Sequence, residues 1–162
     1  MRILACVAVA VLMAACSARD GGWRSLTTDE TAALDRQSLA QNPWLKSPPR
    51  REAVADFDGD GRRDRAVFRV NGESYAVLVL GGDGQVRRLG EARPRVELAN
   101  MELGVLAPGI HRTFCSRRES DEAGCRPTVT LKAPGVVVTT FEAAQIVYFW
   151  NGTAFDVAAL SD

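Results

Sequence analysis

The sequence predicts a mainly β domain of the α+β kind, an antiparallel sheet or meander with one N-terminal helix. Two observations carry that expectation. From Glu52 onward, short apolar or alternating runs are separated by Asn-Gly, Gly-Gly-Asp-Gly and Asp-Gly turn signals, the layout of strands joined by hairpins. Ahead of Glu52, a single stretch carries the start and stop signals of a helix.

The first elements are an address. Met1-Arg2 forms a minimal positive region, and residues 3–15 are uncharged. Such a run is too short to cross a hydrocarbon core of about 30 Å as a helix, but it fits the apolar region of an export signal. It ends in Leu12-Met13-Ala14-Ala15-Cys16, which resembles the lipobox of bacterial lipoproteins, although Met13 replaces the usual Leu and ordinary signal cleavage nearby is the competing reading. The expected organisation is a signal peptide at 1–15, a lipidated Cys16 with a flexible tether over 16–27, and one β-rich domain over 28–162. Lipidation would place the domain in the cell envelope. Ser17 after the cysteine resembles the sorting pattern of the periplasmic face of the outer membrane.

Thr27-Thr28-Asp29-Glu30 has the capping-box spacing, in which a Thr hydroxyl and a Glu carboxylate satisfy the first free amides of a helix. The predicted helix covers residues 28–41 and stops at Asn42-Pro43, with a small apolar face of Ala33, Leu34 and Leu39. Strands are expected at 52–57 and 65–70 around the Asp/Gly loop. The unbroken apolar run 75–80 reads as the strand buried on both faces at the sheet centre. Residues 81–84 form a turn, with a return strand over 85–89. Later strands are expected at 110–115, 128–132, 136–141, 145–150 and 153–159, the last pair joined by a two-residue Asn151-Gly152 turn.

Lys+Arg and Asp+Glu both number 20, and arginines are interspersed with acids, as in Arg117-Arg118-Glu119. A nucleic-acid partner is therefore not expected, because it needs a basic surface to displace counterions from phosphates. The chemistry concentrates in Asp56-Phe57-Asp58-Gly59-Asp60-Gly61-Arg62-Arg63-Asp64, of the form D-x-D-x-D-G-x-x-D. Ca²⁺ takes about six to eight oxygens, and alternating carboxylates on a tightly turning backbone can converge on one ion. The candidate ligands are Asp56, Asp58, Asp60, the backbone carbonyl of Arg62, and Asp64. The plain alternative is an Asp/Gly turn with no ion. An EF-hand is set aside, since its twelfth position would be Val67 instead of Glu.

Residues 54–67 resemble the calcium loop of FG-GAP and VCBS repeats. The resemblance implies a calcium-holding connection between β-strands and a role in adhesion or as a structural unit of envelope proteins; the chain departs from those repeats in carrying one copy, since Gly81 to Gly84 lacks the ligand series, so a full propeller is not expected.

Two cysteines remain outside the address. Cys115 and Cys125 form the expected disulfide in an oxidising compartment, stabilising the fold by roughly 3 kcal/mol in the chain-entropy account. A zinc site from His111, Cys115 and Cys125 is the rival reading, and it lacks a fourth ligand. Trp23, Trp44 and Trp150 are candidates for a ligand platform, with core or sheet-face packing the favoured reading for Trp150. There is no nucleophile elbow, H-E-x-x-H helix or phosphate-binding loop. The expected function is an envelope-anchored calcium-binding structural or interaction lipoprotein, touching the membrane through its lipid and a protein or cell-wall partner through its domain. The alternative is a calcium-dependent periplasmic hydrolase with carboxylates from Glu97, Glu102 or Glu142.

Overall fold

The computed structural model describes residues 22–117 and 126–161. The predicted signal segment, Cys16 and Cys125 lie outside them. Helix α1 spans Thr28–Gln41, bounded as its capping signals require: the Thr27 hydroxyl accepts from Glu30 N at 3.2 Å and the Glu30 carboxylate from Thr27 N at 2.8 Å. Glu30 also receives Arg24 and Arg95, each at 2.7 Å, so a single carboxylate ties the chain before the helix to the segment after the fourth strand. Arg24, assigned from sequence to the flexible tether, exchanges two backbone hydrogen bonds of 3.0 Å with Val70. The reason is geometric. The first strand is short and pairs only as far along its neighbour as Val67, leaving the Val70 amide and carbonyl free to take Arg24.

Ten strands follow: β1 (Glu52–Ala55), β2 (Asp64–Asn71), β3 (Ser74–Leu80), β4 (Val86–Pro94), β5 (Met101–Leu106), β6 (Gly109–Arg112), β7 (Thr128–Leu131), β8 (Gly135–Thr140), β9 (Ala144–Trp150) and β10 (Phe155–Ser161). All pairings are antiparallel. β1-β2-β3-β4 form one sheet, β10-β9-β8-β5 a second, and β6-β7 a separate hairpin. The protein is therefore mainly β with one main helix, and neither a closed barrel nor a propeller is present among the described residues.

The period-two alternation of strand side chains explains the layers. Phe68 and Val70 of β2, and Tyr75, Val77 and Val79 of β3, face Leu103, Val136 and Val138 of the second sheet in one buried cluster. The opposite face of the second sheet, through Val137 and Val147, packs under Leu131 of the β6-β7 hairpin. β3 and β8, covered on both faces, accordingly read as continuous apolar runs. The sheets meet at the β1/β5 seam, where Leu103 N donates to Arg50 O at 2.9 Å.

Several further sequence expectations change. β5, preceded by a 3-10 turn at Arg95–Asn100, was not anticipated: Met101, Leu103 and Val105 alternate with Glu102 and Gly104, but the run is short and poor in β-branched residues. The expected strand 110–115 ends at Arg112 and turns into a 3-10 turn over Phe114–Arg117. The β9-β10 connection takes four residues, since Trp150 pairs with Phe155 and Asn151 N reaches Ala154 O; the Asn151 side chain accepts from Thr153 N and Ala154 N and holds the wider loop.

Two outcomes follow from this packing. Leu103→Ala, at a fully buried site between the sheets, is expected to cost about 2–5 kcal/mol in denaturant unfolding. Glu30 is held well below the ordinary carboxylate range by hydrogen bonds from Arg24, Thr27 N and Arg95. A lowered folded-state pKa gives stability that is present above the unfolded value and lost as pH falls towards the folded one. Glu30→Gln should thus lower Tm at pH 7, with the gap to wild type closing progressively in acid below the ordinary carboxylate range.

Candidate metal centre

The loop between β1 and β2 is built around one apolar anchor. Phe57 is fully buried in the main core, so the chain dips inward between Asp56 and Asp58. Gly59 and Gly61 follow at φ of +76° and +85°, a left-handed backbone that a side chain would strain. The aspartates organise the turn through its own amides. Asp56 accepts from Gly59 N at 2.8 Å and Gly61 N at 2.9 Å, Asp58 from Asp60 N at 3.2 Å, and Asp60 from Arg62 N at 2.8 Å.

Asp64 is wholly enclosed. Its two oxygens accept from Phe57 N and from Gly82 N, both at 2.8 Å, closing the loop at its base and fastening it to the β3-β4 turn. Gly82 is needed at that contact: a Cβ there would stand 2.5 Å from Arg62 Cβ and 3.1 Å from Arg63 O. The Gly81–Gly84 turn, read from sequence only as a hairpin connection, is a wall of the site.

Asp56, Asp58 and Asp64 present ligand oxygens within 4.8 Å of one another, an arrangement that could hold a metal ion. Asp60 lies outside this group and is exposed, with its carboxylate turned to Arg62 N. Burial raises the Asp58 carboxyl above its ordinary range. The Asp60 amide opposes that rise, the charges of Asp64 and Asp60 add to it, and Arg87 also opposes it. The Asp58 side chain keeps 7% of its exposure and lies 3.3 Å from Arg87 Nη1. Gathering carboxylates in a partly buried place is unfavourable unless positive charge accompanies them. Arg87 brings one such charge, and a metal ion could bring more through the oxygen lone pairs that the amides leave free.

The other candidate residues are engaged elsewhere. His111 Nε2 contacts Ala107 O at 2.8 Å, and Cys115 is disulfide-bonded. Trp44 packs edge-on to Phe141 and Trp150 to Phe155, so these two rings have separate partners. Glu97 pairs with Arg93, Glu102 with Arg50, and Glu142 occupies the β8-β9 turn at φ +57°. A groove of about 820 Å³ between β7 and the β9-β10 hairpin is lined by Asp156 as its one carboxylate among the described residues. A second, about 470 Å³ at the β1/β5 seam, holds Glu52 and Glu102. Arg65 keeps Glu52 below its ordinary range, the reverse of what a general acid requires. No protein-family model, curated protein or solved structure matches the chain.

Sequence reasoning missed Gly82 and Arg87 as neighbours of the loop, since nothing in local spacing links them to residues 56–64. Asp64→Asn should leave one of two enclosed amides facing an NH₂ donor and cost about 2 kcal/mol or more by denaturant midpoint, with or without metal. Asp60→Asn, at an exposed position, should leave ion-free stability nearly unchanged. Equal effects of the two substitutions would refute the structural role given to Asp64.

Proposed function

We propose that this protein is a calcium-binding structural and interaction module of the bacterial cell envelope, anchored through a lipid on Cys16. The observation that carries the calcium reading is the convergence of Asp56, Asp58 and Asp64 on a turn whose amides already orient all three carboxylates. All-oxygen donors suit a hard cation. An adaptable loop completed by the Arg62 carbonyl and water favours Ca²⁺ over Mg²⁺, which demands a near-ideal octahedron and sheds water reluctantly. The single loop resembling FG-GAP and VCBS repeats agrees with this reading. Calcium here acts on stability: it joins the loop that connects β1 to β2, and the β3-β4 turn fastened to it, into one rigid end of the sheet. The anchor follows from the signal-like residues 1–15 and the lipobox-like approach to Cys16. Two or more acyl chains would hold the domain stably at a membrane surface.

The test is thermal unfolding of the full chain in detergent, with EGTA, Ca²⁺ and Mg²⁺. Calcium at ten times its dissociation constant should add about 1.4 kcal/mol and raise Tm, Mg²⁺ should do much less, and Asp58→Asn should remove the gain. An unmoved Tm in millimolar calcium refutes the calcium reading. The anchor is tested separately by metabolic labelling with a palmitate analogue: label and membrane fractionation in the wild type, and neither in Cys16→Ser, are expected.

A further inference from the structure

Arg87 of β4 joins three segments through one guanidinium. Nη1 lies 3.3 Å from Asp58 Oδ2 in the aspartate loop, and Nη2 donates to Asp83 Oδ2 in the β3-β4 turn at 3.1 Å. Cζ stands 5.3 Å from the ring centroid of Trp150, at the end of β9 in the opposite sheet. The contacts are unequal in kind. Nη2 makes a hydrogen bond, whereas Nη1 is enclosed and makes none, so its attraction to Asp58 is a bare ion contact. Arg65 and Glu52 differ, being joined by two hydrogen bonds at 3.0 and 2.7 Å. A bare contact is the kind another cation can replace without leaving a broken hydrogen bond behind. Asp83 would keep hold of the displaced side chain.

We propose that Arg87 is a resident competitor for the divalent ion: it neutralises Asp58 in the ion-free loop, and an ion held by Asp56, Asp58 and Asp64 displaces it and alters its stacking on Trp150. The inference rests on the calcium reading given above and adds a regulator of the same site. An ion at the centre of three carboxylates shares Asp58 with Arg87, and two cations on one carboxylate repel. By linkage, the interaction that Arg87 surrenders is subtracted from the affinity for the ion, and neutralising Arg87 restores it. Because the guanidinium also lies over an indole of the other sheet, loop occupancy is transmitted across the β4/β9 side of the sandwich. Trp150 becomes its reporter.

The experiment uses the full chain in detergent, with Trp23→Phe and Trp44→Phe leaving Trp150 as the only tryptophan. Calcium binding is followed by calorimetry and, in parallel, by Trp150 emission. With Arg87 intact, emission should change with the calorimetric midpoint. Arg87→Gln should abolish the emission change and lower the calcium dissociation constant about fivefold. Arg88→Gln, the same loss of charge at an exposed neighbour, should do neither. Calcium heat with a static Trp150 emission, or an equal affinity gain in Arg88→Gln, overturns the competition and leaves the calcium reading standing. No calcium heat in either the wild type or Arg87→Gln overturns both. Binding seen only in Arg87→Gln supports the competition in its strongest form.

Discussion

The buried carboxylate of Asp64 is the constraint on which this end of the molecule depends. It is fully enclosed, it begins β2, and it accepts one amide from the loop before it and one from the turn after β3. A carboxylate in such a place is tolerated only where its lone pairs are occupied and its charge is compensated. The two amides go part of the way to the first condition, one on each oxygen, and leave further lone pairs open. Together with the Phe57 anchor, they also fix where Asp56 and Asp58 stand, so the metal-like geometry is largely a consequence of how Asp64 is accommodated.

Around that point the sandwich is held by different forces on its two sides. At the β1/β5 seam a backbone hydrogen bond joins the sheets. On the β4/β9 side the contact is made by side chains: Arg87 lies over Trp150, and Tyr148 reaches Gly90, where a Cβ would stand 2.4 Å from its hydroxyl. Backbone pairing is stiff and directional, whereas a cation over a ring is adjustable. The side held by side chains is the one adjoining the aspartate loop, through Arg87 beside Asp58.

Much of this architecture is legible locally. α1 has the bounds that its capping box and Asn42-Pro43 imply, because the satisfaction of helix-end amides is decided within a few residues. β3 is central because five consecutive buried residues have no other accommodation. β5 was missed for the complementary reason. Its Glu102 pairs with Arg50 and its Gly104 lies close to Arg50 and Val137, so its suitability as a strand is set by partners distant in sequence. The four-residue connection at Asn151 follows from Trp150 and Phe155 pairing across the loop, a demand of the hairpin on its turn.

The same division runs through the site. Sequence alone determined that acids recur at alternating positions with glycines where the backbone must turn left-handed, because both features belong to one short segment. Only the tertiary structure decided which acids act together. Asp64 is drawn inside by an amide from the β3-β4 turn, Asp60 stays outside, and Arg87, 29 residues beyond Asp58, supplies the opposing charge. Electrostatics depends on distance in space and on burial, and neither is set by spacing along a chain until the sheets have packed.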